Sequence, residues 1–106
     1  MSKKFKFTVA ERAILMQILP QESDYLTYKI LRDLKSNIGF SEDELVEFEI
    51  VHKDGKMTWN RTKEKEKEIT IGEKGLEIIE NSLKRLNDEK KITDISGPLY
   101  ERFMKS

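Results

Sequence analysis

The chain has 106 residues, and its 20 basic and 20 acidic side chains give a formal net charge of zero. The pI near 6.6 argues against a polycation that coats nucleic acid or an anionic membrane. Cysteine is absent, which excludes disulfides, thiolate metal ligands and a thiol nucleophile. A chain of this length has room for one core, so we expect a single domain over 1–106.

No stretch of the sequence predicts export or a membrane span. The basic opening with Lys3 and Lys4 is not followed by the apolar segment of roughly 7–15 residues that a secretory signal needs. The longest purely apolar run, 13–16, is far shorter than the roughly 20 residues of a membrane helix. We therefore expect no membrane partner and a cytoplasmic location.

Two capping boxes mark the starts of predicted helices. In this motif a Ser or Thr and a Glu three residues later each satisfy the other's backbone N–H. The two pairs are Thr8 with Glu11 and Ser41 with Glu44. The first pair opens a helix that ends at Pro20, because proline lacks the N–H and clashes with the preceding turn. The second pair opens a short helix that runs through about Glu47.

A further helix is predicted between these two, over about 24–37. Ser23 or Asp24 stands at the expected N-cap position. Apolar residues follow at helical spacing, and they are Leu26, Ile30, Leu31, Leu34 and Ile38. We expect Gly39 to provide a left-handed C-terminal stop. This helix should therefore have one apolar stripe and a charged back.

After the third helix the apolar residues follow the two-residue period of a strand that begins at Phe48. Asp54-Gly55 is a favoured two-residue hairpin turn. The predicted cross-strand pairs are Lys53 with Lys56, His52 with Met57, Ile50 with Trp59, and Phe48 with Arg61. This register places four side chains on one face of the hairpin, namely Phe48, Ile50, Met57 and Trp59.

The C-terminal part is predicted to be a charged connection followed by a short strand and helices. The connection is 62–68, and Lys and Glu alternate over 63–68, which is typical of a solvated strand end or a flexible loop. The segment 69–71 has the composition of a short strand, and a long helix follows from near Glu73 to 87–88. Ser96-Gly97-Pro98 is typical of a helix start with proline at the first helical position.

Three helices followed by a hairpin resemble, over about 8–61, the element order of winged helix-turn-helix domains, without their small first strand. The resemblance implies a mainly helical α+β fold, here with additional C-terminal helices over 69–106. Proteins of that superfamily commonly place the third helix in the DNA major groove and touch the DNA with the hairpin wing. In this chain the third helix is 41–47 and the wing tip is 53–56.

The charge of the third helix argues against its insertion into DNA. Five acids and no base lie between 41 and 50, whereas affinity for nucleic acid depends on neutralising phosphates. The hairpin is basic, with Lys53, Lys56 and Arg61 as the candidate DNA contacts. A basic N-terminal arm adds Lys3, Lys4 and Lys6. DNA binding through the wing, with the third helix turned away, stays open as an alternative.

We predict no catalytic, cofactor or metal site. His52 is the only histidine, and the nearby acids are not spaced to orient it as a base, so we expect it to be a half-exposed strand residue. The sequence has no HExxH motif and no calcium loop. Gly72 and Gly75 lack the spacing of a phosphate loop, so they are predicted to form a turn.

The function we predict is non-catalytic binding of another macromolecule, above all a protein. An acidic segment beside a basic hairpin makes a dipolar surface that would steer onto a charged partner. The residues predicted to carry the interaction are Glu42, Asp43, Glu44, Glu47 and Trp59. Tryptophan is enriched at binding hot spots, which is the alternative to the interpretation of Trp59 as a core residue under the first two helices. A small DNA-binding regulator is the alternative function.

Two further interpretations concern self-association and origin. The long helix carries an apolar stripe of Leu76, Ile79, Leu83 and Leu86, which either covers the chain's own core or pairs two copies in a homodimer. The lean, Lys- and Glu-rich composition resembles that of small uncharacterised phage and prophage proteins. That resemblance implies a modulator of host proteins.

Overall fold

The structure is a computed structural model and describes residues 2–104. In chain order its elements are β1 (Lys3–Phe7), α1 (Val9–Ile18), α2 (Tyr25–Ile38), α3 (Glu42–Glu47), β2 (Val51–Lys53), β3 (Lys56–Thr58), β4 (Lys67–Ile71), α4 (Glu73–Asp88) and α5 (Ser96–Met104). β1 pairs with β4, and β2 pairs with β3 in a separate sheet. The predicted α+β class with a helical majority is confirmed.

The first strand corrects the sequence analysis, which expected none and assigned its lysines to a basic arm. β1 pairs antiparallel with β4 along its whole length, with Phe5 opposite Ile69. Its phenylalanines are buried, whereas Lys3, Lys4 and Lys6 are exposed. Alternation of Phe and Lys is the pattern of a half-buried strand. The partner lies about sixty residues further along the chain, so local sequence did not reveal the pairing.

The main core lies between the β1–β4 sheet and four of the helices. Phe5 stacks on Phe103 of α5 with 4.6 Å between ring centroids. The other buried members are Phe7, Leu15, Leu19, Leu31, Leu34, Ile38, Ile69, Ile71, Ile79, Leu83 and Leu99. A second, smaller cluster joins the start of α1 to the end of α3 and the hairpin. Its members are Val9, Phe48 and Ile50, with Phe40, Leu45, Met57 and Trp59 packed against them.

The capping predictions are confirmed. Both predicted capping boxes form, with each Ser or Thr and its Glu bonded reciprocally. Asp24 is the N-cap of α2, and its side chain accepts a hydrogen bond from the backbone N–H of Thr27 at 2.7 Å. These devices depend on residues a few positions apart, which is why the sequence is sufficient to place them.

The end of α2 differs from the prediction. Gly39 has φ −65° and ψ 171°, which is extended backbone and not a left-handed stop. The buried Arg12 of α1 explains the difference, because its guanidinium donates to the carbonyl oxygens of Ile38 at 2.8 Å and Gly39 at 2.6 Å. A Cβ at position 39 would lie 2.7 Å from the carbonyl oxygen of Lys35. Glycine is therefore needed here for space.

The hairpin has the predicted register but begins later than predicted. His52 pairs with Met57 and Lys53 with Lys56, and the ladder starts at Val51 instead of Phe48. Glu49 stands between α3 and β2 with φ 54°. The following N–H, that of Ile50, donates to the carbonyl of Leu45. This is a Schellman ending of α3 with a non-glycine residue in the left-handed position, so the predicted pairs at Phe48 and Ile50 fall outside the ladder.

Two predictions about the last helices are also corrected. Gly72 and Gly75 do not form a separate turn; Gly72 is the N-cap of α4, and Gly75 lies buried in its first turn, in agreement with the predicted helix start near Glu73. α5 begins at Ser96, so Pro98 is its third residue. Three residues before this helix, Thr93 is bonded to its first residue: the Thr93 hydroxyl accepts from the N–H of Ser96 at 3.2 Å, and the Thr93 N–H donates to the Ser96 hydroxyl at 2.8 Å. Proline is tolerated because N–H groups of the first turn lack helical partners.

Candidate functional site

The structure assigns Glu44, one of the predicted binding residues, to an internal ion pair. Its two carboxylate oxygens accept from the Arg12 guanidinium at 2.7 and 3.0 Å, and Arg12 is 0% exposed. These hydrogen bonds lower the pKa of Glu44 to about 2, against the opposing effect of burial. Glu44 therefore joins α3 to α1, and its carboxylate is already engaged within the chain.

Two further acids near α3 are paired with the alternating charge run. Glu47 lies 3.1 Å from Lys65, and Glu49 lies 3.0 Å from Lys63. Glu49 also accepts from the side-chain amide of Asn60, and this hydrogen bond, followed by that of Lys63, lowers the pKa of Glu49. The charge run is thus anchored to the body of the domain. Three of the five acids in 41–50 are therefore paired with basic side chains, which leaves a smaller acidic surface than the sequence predicts.

The remaining two acids of α3 are Glu42 and Asp43, both exposed. Neither makes an ion pair with any residue in 2–104. Val46 is 78% exposed on the same short helix. The interaction role of this acidic face stays a prediction.

Trp59 lies with the second cluster and is half-buried. The Arg61 guanidinium sits 5.6 Å from the centroid of its ring. The indole Nε1 is buried and has no hydrogen-bond partner among the described residues. The ring therefore serves the packing of the hairpin against the end of α3, and its remaining exposed part is beside a cation.

The hairpin presents the predicted basic residues to solvent. Lys53 and Lys56 are exposed and face each other across the turn. The turn residues Asp54 and Gly55 have φ 52° and 74°, as a type I′ turn requires. His52 is exposed, and the pair of lysines at the tip makes no ion pair within the described chain.

The structure also shows a surface that the sequence analysis did not identify, a groove between α2 and α4. The two helices touch where Gly75 meets Leu34, because a Cβ at position 75 would lie 3.2 Å from Leu34 Cδ2. Beyond this contact, toward the start of α2, an open space of about 890 Å³ separates them. Ile30 and Ile78 line it, and Leu26 stands at its mouth with 73% of its surface exposed. We call this the α2–α4 groove.

Two exposed tyrosines lie near the start of α2, outside the set of residues that line the α2–α4 groove. Tyr25 is 68% exposed and Tyr28 is 49% exposed, with their ring centroids 6.2 Å apart. Lys29 Nζ lies 5.0 Å from the Tyr25 ring, and the Arg32 guanidinium lies 5.7 Å from the Tyr28 ring. Exposed aromatic side chains are enriched in protein interfaces, so the two tyrosines form a separate apolar patch on α2.

Charges of both signs surround the α2–α4 groove. The acids are Asp24 and Glu77, and the bases are Lys29, Lys74 and Arg85. The N–H of Thr27 keeps the pKa of Asp24 below its ordinary value. Within the wall, the Ser82 hydroxyl donates to the carbonyl of Ile78 at 2.9 Å. The interior is thus mainly apolar and its rim is charged.

A signal for the α2–α4 groove was present in the sequence. Leu26 precedes Ile30 by four residues, at the N-terminal end of the stripe that was predicted to face the core. In the structure only the later part of that stripe is buried, with Leu31, Leu34 and Ile38. How far two helices stay in contact depends on their crossing, which the sequence pattern of one helix does not specify.

The long-helix stripe covers the chain's own core. Ile79 and Leu83 are 0% exposed, and Leu76 packs against the same cluster. Leu86 is half-buried. In this fold the stripe does not offer the continuous exposed seam that the predicted coiled-coil pairing needs.

The part of the chain that the structure describes holds no group of three or more acidic or histidine side chains placed to bind a metal ion. Within the same residues, no helix has the length and apolar character needed to cross a membrane. The chain was also compared with known proteins. No protein-family model, curated protein or solved structure matches it.

Proposed function

We propose that this chain is a non-catalytic protein-interaction domain and that the α2–α4 groove is its main binding surface. The observation that carries the proposal is Leu26, a large apolar side chain left 73% exposed at the mouth of an apolar groove. Burying one such side chain contributes about 1.5–3 kcal/mol. Contiguous apolar surface with a charged rim is typical of sites where proteins bind one another.

The acidic face of α3 is a second surface for the same function. Glu42 and Asp43 are exposed beside Val46, which is 78% exposed. A partner with basic residues around an apolar contact would complement this face. Glu44 and Trp59 are engaged in internal contacts, and Glu47 pairs at the surface with Lys65.

Photocrosslinking tests the groove directly. A photoreactive residue placed at Asn81, which lines the groove, is compared with one at Glu66, an exposed position in the charge run. In cells that express these variants, we expect the photoreactive residue at position 81 to give one discrete crosslinked product and the residue at position 66 to give none. Leu26→Asp should abolish that product. No product, or the same products from both positions, would contradict the proposal.

The alternative function, a small winged-helix DNA-binding regulator, is favoured by one observation. Lys53 and Lys56 are exposed together at the hairpin tip, where a wing would meet phosphates. Exposed Glu42 and Asp43 on α3 oppose a mode in which that helix enters the DNA. The alternative therefore requires that the hairpin, and not α3, contacts the DNA, with Arg61 as the third cation beside Lys53 and Lys56.

A salt titration tests the DNA-binding alternative. Random-sequence duplex DNA is added at about 50 mM and about 200 mM salt while the emission and anisotropy of Trp59 are recorded. Three phosphate contacts predict an affinity about 40-fold weaker at the higher salt. Replacing Lys53 and Lys56 by Gln should reduce both the affinity and its salt dependence. An unchanged signal at both salts would remove this alternative.

A further inference from the structure

The charges around the α2–α4 groove indicate what kind of partner fits it. The rim carries both signs, with the acids Asp24 and Glu77 and the bases Lys29, Lys74 and Arg85. A partner surface of one sign would meet like charges at several of these positions. A second copy, related by a two-fold axis, instead brings the same mixed set against itself, so opposite charges can face each other. The formal net charge of zero also removes long-range repulsion between copies.

The shape of the surface points to the same partner. Leu26 projects from α2 immediately beside the opening whose walls carry Ile30 and Ile78. In a two-fold interface, every contact made by one copy is repeated by the other. Leu26 of each copy can therefore enter the groove of the other copy. One projecting residue beside one groove is enough to fill both grooves of the dimer.

We propose that the α2–α4 groove is filled by a second copy of this chain, which forms a two-fold homodimer. The inference rests on the proposed function, because it names the protein that the groove binds. α2 and α4 of each copy then form a four-helix arrangement with Leu26 near its centre. This dimer leaves Ile79 and Leu83 in the core of each copy, unlike pairing through the long-helix stripe.

The area needed for such a dimer is compatible with the exposed surface. A standard interface takes about 800 Å² from each partner, which is about a tenth of the 7420 Å² surface of this chain. Tyr25, Leu26 and Tyr28 are 68%, 73% and 49% exposed in one copy. Leu26 lies on the groove side of α2 and enters the contact, whereas Tyr28 lies about 160° around the helix from it and stays outside.

Sedimentation equilibrium tests the dimer with the full chain at about 1 µM to about 1 mM. We expect the wild-type mass to approach twice 12.5 kDa. Leu26→Asp should weaken the dimer by about 100-fold or more, since the change is made twice in a two-fold interface. The control is Val46→Asp, a matched substitution at a residue 78% exposed on α3, and it should sediment as the wild type does. Circular dichroism establishes that both variants keep the fold.

Each other outcome overturns the dimer. The dimer is refuted if the wild-type chain stays monomeric at about 1 mM. It is also refuted in this form if Leu26→Asp leaves the association unchanged. A dimer broken by Val46→Asp alone would place the interface on α3. The crosslinking from Asn81 separates the two proposals. A product containing a different protein, together with a monomeric chain, would retain the proposed function and refute self-association.

Discussion

The ion pair between Arg12 and Glu44 predicts how the stability of the domain depends on pH. Arg12 is 0% exposed, and the Glu44 side chain is 17% exposed. Glu44→Gln keeps the size of the side chain but removes its charge, which leaves the buried guanidinium without a counter-ion. Breaking a buried pair in this way costs about 3 kcal/mol or more. We therefore expect Glu44→Gln to lower the free energy of unfolding by about 3 kcal/mol at pH 7.

The pKa of Glu44 supplies an independent magnitude and the sign of the pH dependence. Its pKa falls from the ordinary 4.5 to about 2 in the folded chain, so folding favours the charged carboxylate. The corresponding stabilisation of about 3 kcal/mol is fully present above pH 5 and is lost as the pH falls from about 4.5 through about 2. About 2 kcal/mol of it disappears between pH 7 and pH 3.

Urea denaturation followed by the emission of Trp59 measures the effect at the two pH values. The difference between wild type and Glu44→Gln should shrink from about 3 kcal/mol at pH 7 to about 1 kcal/mol at pH 3. Glu47→Gln is the control on the same helix, because its partner Lys65 is 76% exposed, and it should cost less than about 0.5 kcal/mol. An equal difference at both pH values, or equal costs for the two variants, would refute the reasoning.

Three further substitutions test backbone features by the same denaturation measurement. Gly75→Ala should lower the stability by about 1 kcal/mol, because the added Cβ would lie 3.2 Å from Leu34 Cδ2. The cost of overpacking then exceeds the gain in helix propensity, and a more stable variant would contradict this. Lys90→Gly should raise the stability by about 0.5–1 kcal/mol, since position 90 has φ 59°, and a loss of stability would count against it. Thr93→Ala should cost about 1 kcal/mol by removing the hydrogen bonds of the Thr93 hydroxyl to Ser96 at the start of α5, and an unchanged midpoint would show that these hydrogen bonds contribute nothing.

Features set by neighbouring residues were predictable from the sequence. The capping boxes and the Asp54-Gly55 turn are each completed within a few residues. Their geometry therefore follows from the side chains themselves. The hairpin register followed from the turn and matched the structure over its three paired positions.

Features set by distant segments were not predictable in this way. β1 depends on β4, and the extended backbone at Gly39 depends on Arg12 in another helix. The α2–α4 groove depends on where two helices cease to touch. Its exposed residues look like core residues in the sequence, because Leu26 and Ile30 have the spacing of a buried stripe.

β1 leaves the ribosome before the strand and the helix that it packs against. It pairs with β4, and Phe5 also stacks on Phe103 of α5, 4.6 Å away. At about 5–20 residues per second, the strand waits about 5–20 s for that helix to be synthesised. Meanwhile its two phenylalanines face other nascent chains. The lysines that alternate with them, Lys4 and Lys6, discourage pairing with those chains, so they protect the strand until its own partners emerge.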